Sequence, residues 1–387
     1  RYFFILTKEF FLIKVLEHFQ LLKWILLSAV IGGVVGAVTS LFLHVLDFSV
    51  GTTSSFSFFY WGLPLIFLVN RLITYYISPD SNGHGTDKVI KAVHKRSGSI
   101  RFRVIPIKFL ITILTVAFGG SVGKEGPCAQ MGGAISSSFS SLFKMDKKDR
   151  KKLVVCGISA GFASVFGTPI AGAIFGVEVL FVGRLMYEFL LPSMIAGIAG
   201  FQVAHYFGIE SDFLVPVFQL DMNAALFLKV IIGGIIFAGA SIVFVEVIKL
   251  CHHLSKKWAH YHLSLAIGGG GVLILIFSIF STSYCGLGID TISQALSGTV
   301  FAWYTGVIKL IVTTVTLHAG GSGGILTPIF FVGSVLGSSV GVLLNSDPAF
   351  FACLGLISLL AGTANTPIAS CLLAVELFGA AVAPYAA

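Results

Sequence analysis

Apolar residues dominate long stretches of this chain, and two of them, Trp24–Leu46 and Ala224–Leu250, can cross a bilayer as helices. A span of this kind needs about 20 mostly apolar residues. Other apolar runs, such as Ile107–Phe118 and Leu153–Phe166, are shorter and bounded or interrupted by Gly, Ser or Pro. A membrane barrel would instead show short alternating strands, so the pattern predicts an all-α polytopic membrane protein. Residues 1–23 mix aromatics with Lys8, Lys14 and Lys23. They read as a surface helix leading into the first span, not as a cleavable signal peptide. The first residue is Arg1, not Met, and the run containing Ala387 is still apolar, so further residues are expected beyond both ends.

Composition supports the same conclusion: 56% of the 387 residues are hydrophobic and 11% are charged. Soluble domains carry about a quarter charged residues. The net charge is +8, and basic residues crowd two short loops, Lys88 to Lys108 and Lys144 to Lys152. The positive-inside rule places both loops on the cytoplasmic face. Topology therefore accounts for these charges, and no nucleic-acid partner is called for. The six cysteines show no CxxC pair and the ten histidines no HExxH spacing. No metal, cofactor or redox centre is expected. No GxSxG motif or paired intramembrane Asp suggests an enzyme.

An internal repeat is the most informative feature. Gly119-Gly120-Ser121-Val122-Gly123-Lys124-Glu125-Gly126-Pro127 and Gly320-Gly321-Ser322-Gly323-Gly324-Ile325-Leu326-Thr327-Pro328 both read G-G-S-x-G-x-x-x-P. A Gly follows each Pro at the same distance, Gly132 and Gly333. Further on, Thr168-Pro169-Ile170-Ala171 matches Thr366-Pro367-Ile368-Ala369, and a Val-Glu pair closes each run at Glu178 and Glu376. This organisation predicts a membrane repeat over 24–207 and a second over 208–387. Paired, Gly-interrupted hydrophobic segments point to a transporter's binding site. Gly permits the break, Pro suits the first turn of the next helix, and that helix starts inside the membrane. Its unpaired N–H groups and positive dipole end attract an anion. Ordinary Gly-rich packing turns are the alternative, but packing alone does not require G-G-S and Pro to recur together.

Glu125 lies in only one copy of the break. There it can compete with the anion as a tethered carboxylate, and protonating it would empty the site. A structural Lys124–Glu125 pair at the membrane surface is the other reading. Glu178 and Glu376, matched in both halves, suit capping or hydrogen bonding. A sodium-coupled transporter would need a convergent Asp/Asn cluster in both halves, and none is visible.

These residues resemble the CLC family of chloride channels and proton-coupled chloride exchangers. Gly123-Lys124-Glu125-Gly126-Pro127 is similar to the family's G-K/R-E-G-P, in which the Glu is the gate. Gly324-Ile325-Leu326-Thr327-Pro328 resembles G-x-F-x-P, with Leu326 where Phe is usual, and Gly83-His84-Gly85-Thr86-Asp87 falls where the family has G-S-G-I-P. The resemblance implies two inverted halves of broken and tilted helices, and a homodimer with one pathway per subunit. It implies a multi-pass protein of the plasma (inner) membrane that transports chloride or a similar small anion. Glu125 would be the gate, and His84, Gly85, Gly123, Lys124, Gly126, Pro127, Gly324, Ile325 and Leu326 would line the anion site. His84 replaces the family's anion-coordinating Ser, and Asp87 replaces Pro. Val179 occupies the position of the exchangers' inner glutamate, which favours a channel, or an exchanger with another proton route. Fluoride-specific members resemble G-R-E-G-T, so Pro127 favours chloride over fluoride. The family's pore tyrosine lies on a later helix, so Tyr385 is not given that role, and no CBS domain falls within these residues.

Overall fold

The computed structural model describes residues 2–180, 186–210, 213 and 224–386. Among them are sixteen α-helices and no β-strand. The first half contains α1 (Tyr2–Ser54), α2 (Leu63–Tyr76), α3 (Gly85–Lys95), α4 (Val104–Ala117), α5 (Glu125–Leu142), α6 (Lys147–Phe166), α7 (Pro169–Glu178) and α8 (Tyr187–Tyr206). The second contains α9 (Ala224–Lys257), α10 (His262–Ile279), α11 (Ile289–Leu296), α12 (Tyr304–Ala319), α13 (Leu326–Leu343), α14 (Pro348–Ala364), α15 (Pro367–Phe378) and α16 (Ala383–Ala386). From α2 to α7 and from α10 to α15 the order of longer and shorter helices repeats. No break separates residues 2–23 from the first span, because α1 is continuous.

Helix length explains the architecture. At about 1.5 Å per residue, the 34 residues of α9 reach well beyond a hydrocarbon core of about 30 Å. The 14 residues of α4 and the 10 of α7 cannot cross one. Such half-spans must end inside the protein, where their last carbonyls and first amides need partners. The helices α9 and α10 lie outermost, with Ile235, Ile242, Leu275 and Ile279 exposed. The broken helices sit inside: α5, α6, α13 and α14 are buried over most of their lengths.

Two symmetric devices hold the helices together, one within each half and one between the halves. The first is close helix crossing. A Cβ on Gly132 or Gly157 would overlap the other's carbonyl oxygen where α5 crosses α6, and Gly333 and Gly355 stand in the same relation where α13 crosses α14. The second is an exchange of caps between α7 and α15. The Glu178 carboxylate, ending α7, accepts from Ile368 N (3.1 Å) and Ala369 N (2.8 Å) at the start of α15. Glu376 of α15 returns the arrangement, accepting from Ile170 N (3.0 Å) and Ala171 N (2.7 Å). Each acid satisfies the orphan amides that follow a helix-opening Pro and sits at a positive dipole end. The matched Val-Glu pairs thus have a structural explanation.

The glycine crossing predicts that Gly157→Ala is destabilising by about 1–3 kcal/mol, because the new methyl meets backbone. Gly234→Ala, in open space on α9, should leave stability unchanged or raise it slightly. Melting of the purified variants in detergent measures this, and equal melting temperatures would contradict the packing argument.

Candidate anion site at the paired helix breaks

The two G-G-S segments meet at the centre of the protein. Gly119 and Gly320, with φ of 88° and 138°, turn the chain out of α4 and α12 into conformations that a side chain disfavours. The next residue closes the preceding helix identically in each half: Gly120 N donates to Thr115 O and Gly321 N to Thr316 O, both at 2.8 Å. The threonines then reach across. Thr115 Oγ1 accepts from Ser322 N (3.1 Å) and Thr316 Oγ1 accepts from Ser121 N (3.2 Å).

Beyond the serines the breaks pair directly. Gly123 N donates to Gly324 O (2.7 Å) and Gly324 N donates to Gly123 O (2.6 Å). This pairing places the start of α5 against the start of α13, so that a Cβ on Gly126 would lie 3.0 Å from the Gly324 Cα. The start of α3 joins them: His84 bridges to Gly323, and a Cβ on Gly85 would lie 2.5 Å from Gly126 O. Pro127 and Pro328 carry no N–H. The first-turn amides of Glu125, Gly126, Leu326 and Thr327 have no carbonyl partner within their own helices. Three helix N-termini with their positive dipole ends therefore converge on one buried region.

Every residue named from the sequence as gate or anion ligand lies at this junction. Gly123 and Gly324 form the pairing. Lys124 and Ile325 occupy the N-cap positions of α5 and α13, followed by Glu125 and Gly126 in one helix and Leu326 in the other. Lys124, Glu125 and Leu326 are buried. The Glu125 carboxylate crosses from the first break to the second, where Thr327 Oγ1 donates to its Oε1 at 2.6 Å. Its Oε2 lies against Gly123, where any Cβ would collide with it. His84 stands at the edge, with Nε2 3.2 Å from Asp87 Oδ2. Val179 follows the last residue of α7 and is buried.

Two buried lysines support loops beside the breaks, and Gly286 N of one such loop donates to Gly119 O at 3.0 Å. Lys108 Nζ, on α4, donates to Gly83 O, to Ser81 O (3.3 Å) and to Ser322 Oγ (2.8 Å). Lys309 Nζ, on α12, donates to Tyr284 O (3.1 Å) and Gly286 O (2.9 Å). Both are fully buried. Sequence reading missed this pair, together with Thr115, Thr316 and Thr327. A signal was present: Lys108 and Lys309 are as far apart in sequence as Gly120 and Gly321, and Gly286-Leu287-Gly288-Ile289-Asp290 echoes Gly83-His84-Gly85-Thr86-Asp87.

Known proteins are similar to this chain in sequence and in fold. A protein of Pseudomonas syringae pv. tomato described as a chloride/fluoride channel protein is 32% identical over 374 residues, spanning 94% of this chain and 82% of its own length. The H(+)/Cl(-) exchange transporter ClcA of Vibrio cholerae is 26% identical over 395 residues, covering 95% and 84% of the two chains. Among solved structures, a CLC-type fluoride/proton antiporter superposes with a TM-score of 0.89 at 30% identity, over 95% of this chain and 93% of its own. A slow cyanobacterial Cl-/H+ antiporter at 20% identity shares the fold, with a TM-score of 0.80 over 92% and 89% of the chains. Residues 65–387 match the family described as voltage gated chloride channel. With most of its length matched and its helix breaks paired as described, this chain belongs to the voltage-gated chloride channel (CLC) family of membrane transport proteins.

Proposed function

We propose that the protein exchanges a small halide, chloride or fluoride, for protons, with Glu125 as both the gate and the proton-carrying group. The observation that carries this reading is the position of the Glu125 carboxylate: buried where two helix starts meet, and accepting the Thr327 hydroxyl at 2.6 Å. An ionised carboxylate there takes the place of an anion beside the same amides. Protonation removes its charge, weakens its hold on those donors, and lets a halide replace it. His84, Gly85, Gly123, Lys124, Gly126, Pro127, Gly324, Ile325 and Leu326 complete the proposed lining.

The sequence leans toward a channel because Val179 cannot carry a proton. The names of the relatives favour exchange: an antiporter that matches at 30% identity with a TM-score of 0.89, and the exchanger ClcA. They also bring fluoride into consideration, although Pro127 favours chloride. A homodimer in the inner membrane, with one pathway per chain, completes the reading.

The coupling test uses proteoliposomes. An outward chloride or fluoride gradient should drive proton uptake, and the reversal potential should deviate from the halide's Nernst value. Glu125→Gln should abolish proton movement and make halide flux independent of pH, whereas wild-type flux should rise as pH falls. A reversal potential at the Nernst value and insensitive to pH would establish the channel reading in place of exchange.

Thr327 supplies a second test. Thr327→Val removes a hydrogen bond to a charged group, an interaction worth about 1.5–3 kcal/mol. Halide flux should rise by about tenfold or more where departure of the carboxylate limits the rate. Unchanged or slower flux would show that Thr327 does not hold the gate.

A further inference from the structure

Away from the paired breaks, the starts of two membrane spans, α1 and α8, enclose a groove of about 560 Å³. Lys23 of α1 pairs with Asp149 and Glu188 of α8 with Lys148, both at 3.0 Å. These pairs set the groove beside the basic loop Lys144 to Lys152, on the cytoplasmic side by the positive-inside rule. Further along, the helices cross closely through small residues: a Cβ on Gly32 would overlap the Ala196 backbone, and one on Gly36 the Gly200 backbone. That order shows the two helices running in the same direction. Above the crossing, larger side chains line the groove, Leu21, Trp24 and Ile25 on α1 and Tyr187, Leu191 and Ile195 on α8. The groove is therefore a wedge, closed below by the crossing and open at the helix starts.

Polarity is graded along the wedge. Its deep end is apolar, at Ile25 and Ile195, whereas Gln20, Lys152 and Glu188 stand at its mouth with the interfacial aromatics Trp24 and Tyr187. Charge at the mouth is unbalanced. Asp149 and Glu188 are taken by Lys23 and Lys148, and Lys152 forms no ion pair among the described residues. Its Nζ lies over the Trp24 ring, 4.5 Å from the centroid. Acceptors stand nearby: Pro192, inside α8, has no N–H, so the Glu188 carbonyl lacks its helical donor, and both residues line the groove.

We infer that this wedge is a binding site for one anionic phospholipid of the cytoplasmic leaflet, phosphatidylglycerol. A single phosphodiester charge answers Lys152. The glycerol hydroxyls donate to the Glu188 carboxylate and carbonyl, and an acyl chain follows Ile25, Leu191 and Ile195 toward the crossing. The alternatives fit less well. A choline head has no N–H or O–H to donate, and an ethanolamine ammonium must compete with Lys148 for Glu188. The last described helix, α16, packs on α14 and α15 in the other half of the chain. Bound in the wedge, the lipid joins α1 to α8 at the end where the helices diverge, and so stabilises the fold by linkage.

The test titrates the delipidated full chain in detergent with phosphatidylglycerol, phosphatidylethanolamine or phosphatidylcholine of one acyl composition. Native mass spectrometry reads the lipid retained, and thermal melting reads its effect. Phosphatidylglycerol should be held at one per chain and raise the melting temperature saturably, with the other two lipids weaker by about tenfold. Lys152→Gln should weaken retention by about tenfold, and Lys152→Arg should keep most of it. Leu191→Trp fills the groove without changing charge; it should abolish retention and leave the melting temperature without lipid at the wild-type value. Equal retention of the three lipids would overturn the inference. So would wild-type retention by Leu191→Trp, which is the mark of general attraction between anionic lipid and a basic surface. A groove covered by a second copy of the chain would overturn it too, and Leu191→Trp would then change the mass of the assembly and not its lipid content. None of these readouts depends on transport, so they stand whether the chain proves to be an exchanger or a channel.

Discussion

The structure depends on one small interaction, the reciprocal pair of backbone hydrogen bonds between Gly123 and Gly324. Each glycine interrupts a helix inside the membrane, where the freed backbone groups have no water to turn to. Pairing the two interruptions solves both problems at once. It also fixes the starts of α5 and α13 within van der Waals reach of each other, which no side chain at Gly123, Gly126 or Gly324 would permit. The amides left over after pairing are those of the first helical turns of two adjacent helix starts. A pair of helix starts suited to an anion is thus a by-product of satisfying the backbone.

Charge is handled with the same economy. Concentrating lysine side chains around a permeating halide would hold it too tightly to release. Here the buried lysines of helices α4 and α12 are committed to loop carbonyls: Lys108 to Ser81 and Gly83, Lys309 to Tyr284 and Gly286. They act on the site through the loops they position. Partial charges of helix ends do the rest. The cross-capping of α7 by Glu376 and of α15 by Glu178 works in the opposite sense. There, helix starts that could also have attracted an anion are permanently neutralised by protein carboxylates. Glu125 and these two glutamates sit at similar helix starts, but only Glu125 is placed where three of them converge.

Much of this was legible in the sequence. Apolar run lengths announced the membrane, and the duplicated G-G-S-x-G-x-x-x-P announced the breaks. What was not legible is how the copies touch. Thr115 and Thr316 look like ordinary helical threonines, because their cross-contacts with Ser322 and Ser121 exist only once the halves are packed. Lys108 reads as part of a basic cytoplasmic loop, yet its side chain is fully buried, since α4 begins close to the loop it supports. Thr327 could be named only as a motif position; its bond to Glu125 joins two distant segments. His84 was assigned to the anion site, and the structure adds its contact with Asp87. Motif comparison identifies which residues break a helix, whereas long-range packing decides which groups those breaks bring together.

The central claim is that the α5 and α13 starts form one anion site, which the Glu125 carboxylate occupies in the state described here. Anomalous diffraction from crystals grown in bromide tests it directly, comparing the wild-type protein with Glu125→Gln. The account predicts a bromide peak in the variant within hydrogen-bonding distance of the first-turn amides of both helices, at the position the wild-type carboxylate holds. A variant with no bromide there, or a wild-type protein with bromide at that position and Glu125 unmoved, would contradict it.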